Sequence, residues 1–534
     1  MREDTDVRIV STNFTENEAN RAGGGIENRG GNLVIRRGAV NNNVVNFSPG
    51  NGGGIHTGGG TTNIAFTEFA RNTAGQEGGG LWSGGDMTLN QVRVFTNFAD
   101  GMDADDGGAG IFNNSGNLSI NASTISSNEA TNGSSSGGGL LSLVGDVTVT
   151  NSTFESNFSQ RAGGAIEIVE GNLTSTNTDY ISNSTGSSPG NGGAIHVTGT
   201  SGGTVDITGG SIMDNTAANE GGGVWGQNGS TMNLTSVAVM NNTAGTNGGG
   251  GVFVNGGTVN VMQSTIAGNM VDGTGSSTGG GLKNTASGTL NVTNSTVSGN
   301  DDAGVFSLGT TTVMMSTIAL NEVGLATSGM SGVVNFGGNL FAGNTNGSVE
   351  TGGVYSSTGY NLFPDDPQTT DATDLDNANP GVGPLQNNGG ATMTHAIDCT
   401  SDAINANPNG TGPDQRGFDL QGTRDIGAFE LQTDCATTVP FGSDDDLTVA
   451  IDGNQEFSVF PNPVTGNQVN VRIPEATQGE ITLRLIDGNG RFLGERRATA
   501  GVFQFPLQDL PTGTYTLQLI SESGMSTQRL VVTR

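Results

Sequence analysis

The sequence predicts an all-β solenoid, a stack of about twelve coils, followed by a small all-β domain at the C-terminus. Two observations predict the stack. Twelve times, a β-branched or aromatic residue is followed three positions later by asparagine, and these asparagines recur every 25 to 32 residues until a last interval of 21. After each asparagine, across a variable loop, a glycine cluster precedes one apolar residue. A fixed period in this range, built from short alternating strands, is typical of stacked repeats.

The repeat marks two sets of equivalent positions. We expect the asparagines to occupy bends, where Asn tolerates left-handed backbone and stacked side chains form a ladder. They are Asn17, Asn43, Asn72, Asn97, Asn128, Asn157, Asn183, Asn215, Asn242, Asn269, Asn300 and Asn321. The apolar residues after the glycine clusters should point inward. They are Ile26, Ile55, Leu81, Ile111, Leu140, Ile166, Ile195, Val224, Val252, Leu282, Val305 and Leu325.

The alternation of apolar and polar residues predicts three short strands in each coil. The first follows the glycine cluster, the second alternates inward and outward, as at Val147 and Val149, and the third runs from Ser152 to Asn157 in the same coil. Glycines allow the tight bends at the corners. Loop length varies mainly between the asparagine and the next glycine cluster, where functional loops are usually inserted.

Composition agrees with a solenoid and excludes some partners. Hydrophobic residues make up only 32 % of the chain, and glycine reaches 92 residues. Backbone pairing between coils lets a β-solenoid fold with this little apolar volume. A net charge of −31 disfavours nucleic acid and anionic lipid as partners, because both require a basic surface. No apolar stretch approaches the length of a membrane span.

These features resemble the right-handed parallel β-helix, in particular the glycine-cluster repeats of polymorphic outer-membrane proteins and related bacterial surface proteins. The resemblance covers residues 1–345. It implies the fold but leaves function open, because this scaffold carries lyases, hydrolases and adhesins.

A five-coil block is duplicated within the repeats. Arg21 to Glu27 recurs as Arg161 to Glu167, and Glu77 to Trp82 recurs as Glu220 to Trp225. The corresponding residues are offset by 140 to 143 positions.

Residues after the inward apolar positions should form an outward column, because side chains alternate along a strand. Aromatic faces in such a column offer stacking surfaces for sugar rings, which makes the column a candidate binding site. Its proposed ligand-binding residues are His56, Trp82, Phe112, His196, Trp225 and Phe253. The alternative is that adjacent loops cover the aromatic rings, so that they form a second hydrophobic cluster.

Two acid–imidazole pairs also follow from the predicted register, Glu27 beside His56 and Glu167 beside His196. A general acid–base pair needs reach to a substrate and a suitable pKa. No nucleophile or metal position can be assigned beside either pair, and we therefore predict no catalytic residues. The alternative for both pairs is a solvated surface.

One acidic loop is a weak candidate for Ca²⁺, a cation that prefers oxygen ligands. Its carboxylates are Asp100, Asp103, Asp105 and Asp106. The duplicate loop near Thr246 and Asn247 has no acids, and the spacing does not match an EF-hand. The favoured interpretation is a solvated acidic loop and no cofactor.

A polysaccharide-cleaving enzyme is the second functional hypothesis. Lyases and polygalacturonases on this scaffold need clustered Asp with Arg or Lys, whereas Lys283 is isolated here and the arginines are scattered. The main hypothesis is therefore a protein that is not an enzyme, an adhesin or glycan-binding protein that contacts polysaccharide or a host or neighbouring cell surface. A third is a rigid spacer.

Residues 316–435 resemble the choice-of-anchor Q region, which ends bacterial β-helix proteins before a surface anchor. The resemblance rests on Gly359 to Phe363, Gly383 to Gly390 and Asp425 to Glu430. It implies a cap over the last open strands of the solenoid. Cys399 and Cys435 are the only cysteines, and an exported protein could join them in a disulfide, although sequence alone leaves this open.

After an acidic linker at 436–455, residues 456–534 alternate as a small antiparallel β-sandwich. They resemble the type A sorting domain of the type IX secretion system. The motif residues are Pro461, Asn462, Pro463, Gly513 and Tyr515. The resemblance implies export in a Bacteroidota-type Gram-negative bacterium, recognition by the translocon, removal by a sortase-like peptidase, and attachment to surface lipopolysaccharide or release.

The N-terminus does not show the signal peptide that this route requires. Met1 to Asp6 is charged and no apolar segment follows, and the chain begins in the middle of a coil. We therefore expect the natural N-terminus to be missing from this sequence.

Overall fold

The computed structural model describes residues 5–432 except 47, 188, 199–202, 274–277, 329–331, 351–352 and 368–370; residue 435; and residues 457–533 except 461–463, 465–467, 474–480, 488–491, 499–500, 508–509, 511–512 and 522–523. Two compact units make up the chain, Met1–Ala436 and Thr437–Arg534. Every regular element in the described residues is a β-strand, which confirms the predicted all-β class. The predicted linker at 436–455 lies outside the described residues.

The first unit is a parallel β-solenoid with three sheets. Sheet 1 has twelve parallel strands, one from each coil, and each begins at a predicted inward residue or shortly before it. Its strands are Ile26–Asn28, Ile55–Thr57, Leu81–Ser83, Ile111–Asn113, Leu140–Ser142, Ile166–Ile168, Ile195–Val197, Val224–Gln227, Val252–Asn255, Leu282–Asn284, Ala303–Ser307 and Val323–Thr327.

Sheet 2 has 25 strands, because most coils contribute two strands separated by a kink. The residue at the kink has positive φ, as at Arg37 and Phe66. The strands are Asp6–Val10, Asn13–Thr15, Asn32–Arg36, Ala39–Asn41, Thr61–Ala65, Glu68–Ala70, Asp86–Asn90, Arg93–Phe95, Leu118–Asn121, Thr124–Ser126, Val147–Thr150, Thr153–Glu155, Leu173–Ile181, Thr204–Met213, Thr231–Thr235, Ala238–Met240, Thr258–Met262, Thr265–Ala267, Thr289–Thr293, Thr296–Ser298, Thr310–Met314, Thr317–Ala319, Val333–Gly337, Leu340–Ala342 and Val354–Ser357.

Sheet 3 is formed by two-residue strands that follow the asparagine bends. Seven strands form one ladder, and two more pair separately further along the stack. They are Glu18–Ala19, Val44–Val45, Thr73–Ala74, Phe98–Ala99, Glu129–Ala130, Phe158–Ser159 and Ser184–Thr185, then Thr243–Ala244 and Met270–Val271.

The asparagines form a continuous ladder at the corner between sheets 2 and 3, and it is buried from Asn43 to Asn321. Asn43 donates its backbone N–H and its Nδ2 to Oδ1 of Asn72, at 3.0 and 2.9 Å. Its Nδ2 also donates to the carbonyl oxygen of Phe14, in the preceding coil. The same pattern continues past Asn321 to a thirteenth rung, Asn344, that the sequence analysis did not include. Each rung satisfies polar groups that burial would otherwise leave unpaired.

The glycine clusters are required by the close approach of successive coils. Gly52 adopts a left-handed conformation with φ of +68°. A Cβ atom on Gly53 would lie 2.5 Å from the carbonyl oxygen of Gly79 in the next coil. Glycine is therefore the residue that lets sheet 1 begin directly after this corner.

Beyond the last coils, the chain folds back along the solenoid. Leu362 bridges to Leu340 and Leu375, and so extends the stack. Residues 382–432, which we call the fold-back segment, include the antiparallel strands Val382–Gln386 and Thr394–Ile397. A hydrophobic cluster joins the segment to sheet 2 through Ala319, Leu340, Ala342, Leu362, Ile397, Ala403, Ile426 and Phe429. A disulfide links Cys399 to Cys435.

The second unit contains two antiparallel sheets with one shared core. The three-stranded sheet consists of Ser458–Phe460, Gln468–Ile473 and Gly501–Pro506. The four-stranded sheet consists of Phe492–Ala498, Ile481–Asp487, Gly513–Ser521 and Gly524–Val532 in that order. Val471 and Leu517 belong to the shared core, as does the motif residue Tyr515. Gly513 begins a strand, whereas Pro461, Asn462 and Pro463 lie outside the described residues.

Candidate functional site

Sheet 1 aligns one outward-pointing residue from every strand into a single column, as the sequence predicts. The column reads Glu27, His56, Trp82, Phe112, Leu141, Glu167, His196, Trp225, Phe253, Lys283, Phe306 and Ala326. Neighbouring strands are about 4.8 Å apart, so each side chain contacts the next. The pairing confirms the predicted neighbours Glu27–His56 and Glu167–His196.

The rings in this column stack on one another rather than facing solvent. The centroids of His56 and Trp82 are 4.3 Å apart at an interplanar angle of 14°. Trp82 and Phe112 follow at 6.2 Å and 6°. The second copy repeats the arrangement, with His196 and Trp225 4.4 Å apart. Each face that a sugar could use is therefore occupied by the next ring.

Burial of the column agrees with the alternative interpretation of the sequence. The exposed fractions of Trp82, Phe112, Trp225 and Phe253 are 9, 0, 5 and 4 %. In the first copy these rings join a separate hydrophobic cluster, completed by Leu141 with Leu143 and Val169 packed against it. The column is thus a covered second core and does not present open aromatic faces.

Both indole N–H groups are bound by a glutamate from the loop before the same glycine cluster. Trp82 Nε1 donates to Oε2 of Glu77 at 2.7 Å, and Trp225 Nε1 donates to Oε2 of Glu220 at 3.0 Å. Burial raises the pKa of Glu77 to about 7, opposed by the Trp82 hydrogen bond and supported by the charges of Asp106 and Asp105. The duplicated glutamates therefore serve to hold the rings in place.

The second Glu–His pair is buried and forms an ionic network with the partly exposed Arg161. Oε1 of Glu167 accepts hydrogen bonds from Arg161 Nη1 at 2.8 Å and from Thr198 Oγ1 at 2.5 Å, and lies 3.3 Å from His196 Nδ1. Arg161 Nη1 also donates to Ser136 Oγ. Burial alone would raise the pKa of Glu167, but the charges and hydrogen bonds of His196, Arg161 and Thr198 lower it to about 2.

The first Glu–His pair is more open. Glu27 accepts from Arg29 Nε at 3.0 Å, and its side chain is 29 % exposed. Burial lowers the pKa of His56 to about 4, with Glu27 opposing and Arg21 and Arg29 reinforcing the shift. From the sequence, a solvated surface was the alternative for both pairs. That interpretation is wrong for Glu167 and His196, which are 0 and 3 % exposed. Groups this deeply buried have no direct access to a substrate, and the geometry favours a structural role for the second pair.

Lys283 lies between the last two rings of the column and bridges them. Its Nζ lies 5.6 Å from the ring centroid of Phe253 and 5.7 Å from that of Phe306. Nζ also donates to the carbonyl oxygen of Asn247. Burial lowers the pKa of Lys283, with Glu220 and Asp302 opposing the shift. The lysine thus packs as a cation over aromatic faces.

The acidic loop does not assemble a metal site in the described residues. Asp106 Oδ2 accepts the backbone N–H groups of Met102 and Asp103, at 2.9 and 3.0 Å, so this carboxylate closes its own loop. The described part of the chain contains no group of three or more His, Cys, Asp and Glu side chains arranged to hold a metal ion. The Ca²⁺ candidates Asp100, Asp103, Asp105 and Asp106 are not brought together with further ligands there.

A second candidate surface is the outer face of sheet 2, which sequence reasoning did not single out. At its last coils this face binds the fold-back segment through threonine hydroxyls. Thr265 Oγ1 donates to the carbonyl oxygen of Met393 at 2.5 Å, and Thr296 Oγ1 donates to Gln415 Oε1 at 2.6 Å. The three coil threonines here, Thr265, Thr296 and Thr317, are at most 2 % exposed.

The contacts of the fold-back segment continue on both sides of these threonines. Thr317 Oγ1 accepts the backbone N–H of Ala428 at 3.1 Å. Ser298 Oγ lies 2.8 Å from His395 Nε2. Asn294 Nδ2 donates to the carbonyl oxygen of Pro413 at 2.8 Å. The outer face of sheet 2 thus binds an irregular polar chain that lies across several coils.

The same positions are uncovered on earlier coils. Strand register places Thr124 and Thr153 in the row that continues to Thr265 and Thr296, and both are only partly buried. The regular Ser-Thr-apolar element carried the only sequence signal for this face, because its threonine points outward in each coil that has it.

The C-terminal end of the chain matches a protein family. Residues 458–533 match the family described as Secretion system C-terminal sorting domain, which fits the resemblance to the type IX sorting domain. The second unit is therefore a sorting domain, and it marks the protein for export to the cell surface or the medium. No curated protein matches the chain. None of the described residues forms a helix long and apolar enough to cross a membrane.

Proposed function

We propose that this protein is a type IX secretion cargo of a Bacteroidota-type bacterium that acts outside the cell as a polysaccharide-binding adhesin. Its binding surface is the outer face of sheet 2 on the coils that precede those covered by the fold-back segment. The translocon and a sortase-like peptidase are its partners during export. Surface lipopolysaccharide is the attachment point after removal of the sorting domain.

The observation that carries this proposal is the covered end of the same face. There, outward threonines bind carbonyl, amide and side-chain groups of the fold-back segment across several coils. A polysaccharide is also an extended polymer, and its hydroxyl groups and ether oxygens offer hydrogen-bond donors and acceptors along its whole length. On the uncovered coils, Thr124 and Thr153 occupy two neighbouring positions of the same row, one strand spacing or about 4.8 Å apart.

The stacked column of sheet 1 is not the proposed surface, because its rings are buried against one another. A polysaccharide-cleaving enzyme and a rigid spacer are the competing functions. We favour binding without catalysis because the deeply buried Glu167 and His196 are committed to each other and to Arg161. A rigid spacer would not require a polar surface that binds a chain, whereas the outer face of sheet 2 already binds the fold-back segment.

Affinity electrophoresis tests the proposal with the full chain. The protein is run through native gels that contain dextran, xylan, pectin or polygalacturonate, and the gels are then stained for polymer. We expect retardation by at least one polymer and no clearing. The isosteric pair Thr124→Val and Thr153→Val, which removes two outward hydroxyls, should weaken retardation, whereas Trp82→Phe with Trp225→Phe should not.

Each other outcome has a definite meaning. Clearing of the polymer would establish the enzyme instead. Unchanged mobility in every gel would leave the spacer. Retardation that disappears only in the tryptophan variants would return the binding site to sheet 1 and contradict the assignment to sheet 2.

A further inference from the structure

The positive charge of the solenoid unit is concentrated in its first coils. Residues 1–93 carry eight Lys and Arg against nine Asp and Glu, whereas residues 94–436 carry four against 30. Those four are Arg161, Lys283, Arg416 and Arg424. Arg161 is paired with Glu167, Lys283 lies over two rings, and Arg416 and Arg424 are buried in the fold-back segment. The Lys and Arg side chains of the solenoid that are available to a ligand therefore lie at one end of the stack.

Several of these early cations lie along the outer side of sheet 2 and its bends, with the exposed ring of Phe66 and the partly buried ring of Phe95. We call this group the basic-aromatic patch. It consists of Arg36, Arg37, Phe66, Arg71, Arg93 and Phe95. Phe66 is 46 % exposed, and the Arg37 guanidinium lies 5.9 Å from its ring centroid. The Arg93 guanidinium lies 4.8 Å from the ring centroid of Phe95.

Strand pairing brings the members of the patch together. Arg36 pairs with Ala65, the residue before Phe66, and Ala70, the residue before Arg71, pairs with Phe95. The patch therefore spans three consecutive coils, about 10 Å along the stack at one strand spacing per coil. This extent is comparable with the Debye length of about 8 Å at physiological ionic strength. Acidic groups more than about two coils beyond the patch are thus largely screened from it.

The patch retains unused binding capacity. Glu68 lies between Phe66 and Arg71 in the sequence, and it is already engaged by Arg93, at 3.6 Å, and by Asn41, which donates to it. Arg36 and Arg71 are exposed and make no ion pair or side-chain hydrogen bond with any residue that the structure describes. A guanidinium offers a planar fork that matches a carboxylate, sulfate or phosphate.

We propose that the basic-aromatic patch makes this adhesin selective for anionic polysaccharides, with acidic groups bound by Arg36, Arg37 and Arg71 and sugar rings stacked on Phe66. This inference rests on the proposed function and names its ligand class. The exposed ring of Phe66 offers a face on which a sugar can stack, which distinguishes this ligand from a compact anion. A second copy of the chain is a less suitable occupant, because its like-charged acidic coils repel one another.

A matched pair of polymers tests the inference on the full chain. Polygalacturonate and highly methyl-esterified pectin share a backbone and differ in charge. We expect stronger retardation by polygalacturonate, and the difference should shrink as salt is added. Arg36→Gln with Arg71→Gln should weaken that retardation at least tenfold, or by about 1.4 kcal/mol, because both guanidinium forks are lost.

The control makes the same change in net charge away from the patch, at two arginines of the first coils that lie near His56. Arg21→Gln with Arg29→Gln should leave binding nearly unchanged. Phe66→Ser should reduce binding to both polymers, because stacking does not depend on charge.

Retardation by esterified pectin alone would overturn this inference and leave the proposed function in place. Binding of neither polymer, with no binding of dextran or xylan, would remove both. Equal retardation by duplex DNA would show a general polyanion surface and contradict selectivity for glycans. Loss of binding in the control pair as well would show that net charge, and not the patch, is responsible.

Discussion

The two Glu–His pairs of the duplicated block have the same register but different surroundings. Ile26–Asn28, which carries Glu27, pairs with a neighbour on one side only in the structure. Ile166–Ile168, which carries Glu167, lies between Leu140–Ser142 and Ile195–Val197. Glu27 turns to the exposed Arg29, whereas Glu167 is fully buried and bound by Arg161 and Thr198.

The difference shows that the repeat sets the position of a charged residue and its neighbours set its energetics. Thr198, which binds Glu167, corresponds to Gly58 in the first copy, and Val169 corresponds to Arg29. A carboxylate can be buried in the second copy because a cation and a hydroxyl are supplied together. In the first copy Gly58 offers no hydroxyl, and Glu27, which pairs with the exposed Arg29, remains partly in solvent.

The largest effect should follow removal of Arg161. Arg161→Ala leaves the buried Glu167 carboxylate without its cation, and we expect the free energy of unfolding to fall by about 3 kcal/mol. Urea denaturation of the full chain, followed by circular dichroism, measures the change. Arg21→Ala, the equivalent substitution in the first copy, should stay within about 0.5 kcal/mol of the parent. Equal effects in the two copies would contradict the comparison.

His56 should make the first copy sensitive to pH. Its pKa falls from 6.5 in the unfolded chain to about 4 in the fold, chiefly through burial. Between these values the unfolded chain binds more protons, so the free energy of unfolding decreases as pH falls from 6.5 to about 4. We expect His56→Phe to remove part of that loss, on the order of 2 kcal/mol.

The histidine prediction can be read directly by NMR. The chain has only three histidines, and the resonance that disappears in His56→Phe identifies His56. Its imidazole should titrate near pH 4. A titration midpoint near 6.5 would show that the first column is open to water and that its burial is less complete than the stacked rings indicate.

Much of the fold followed from local periodicity, whereas the environment of the site did not. Alternation after each glycine cluster was enough to align His56 with Trp82 and His196 with Trp225. Their burial depends on side chains such as Leu143 and Val169, whose positions relative to the column are set by neighbouring coils. Contact between Gln415 and Thr296 joins residues 119 positions apart and has no local signature. The ladder, sheet 1 and the sorting domain were therefore predictable, but the covered end of sheet 2 was not.

Thr198 should contribute a smaller share of the second network. Thr198→Val keeps the shape but removes the hydroxyl that donates to Glu167 Oε1, and we expect a loss of about 1.5 kcal/mol in the free energy of unfolding. Thr198→Ser keeps the donor and should recover most of this loss. If Thr198→Val were as stable as the parent, Arg161 and His196 alone would account for the burial of Glu167.

The smallest expected effect is optical and concerns Glu77 and Trp82. The protein has two tryptophans, so Trp225→Phe leaves the emission of Trp82 alone. Because burial and the charges of Asp106 and Asp105 raise the pKa of Glu77 to about 7, the carboxyl that accepts the indole N–H should ionise near neutral pH. We expect the emission maximum to change with a midpoint near pH 7, and Asp105→Asn should lower this midpoint by removing one repelling charge.

The second copy has no acids in the equivalent loop, so Trp82→Phe supplies the background titration. If Asp105→Asn left the midpoint unchanged, burial alone would account for the raised pKa of Glu77. The acidic loop would then not contribute to the difference between the two copies.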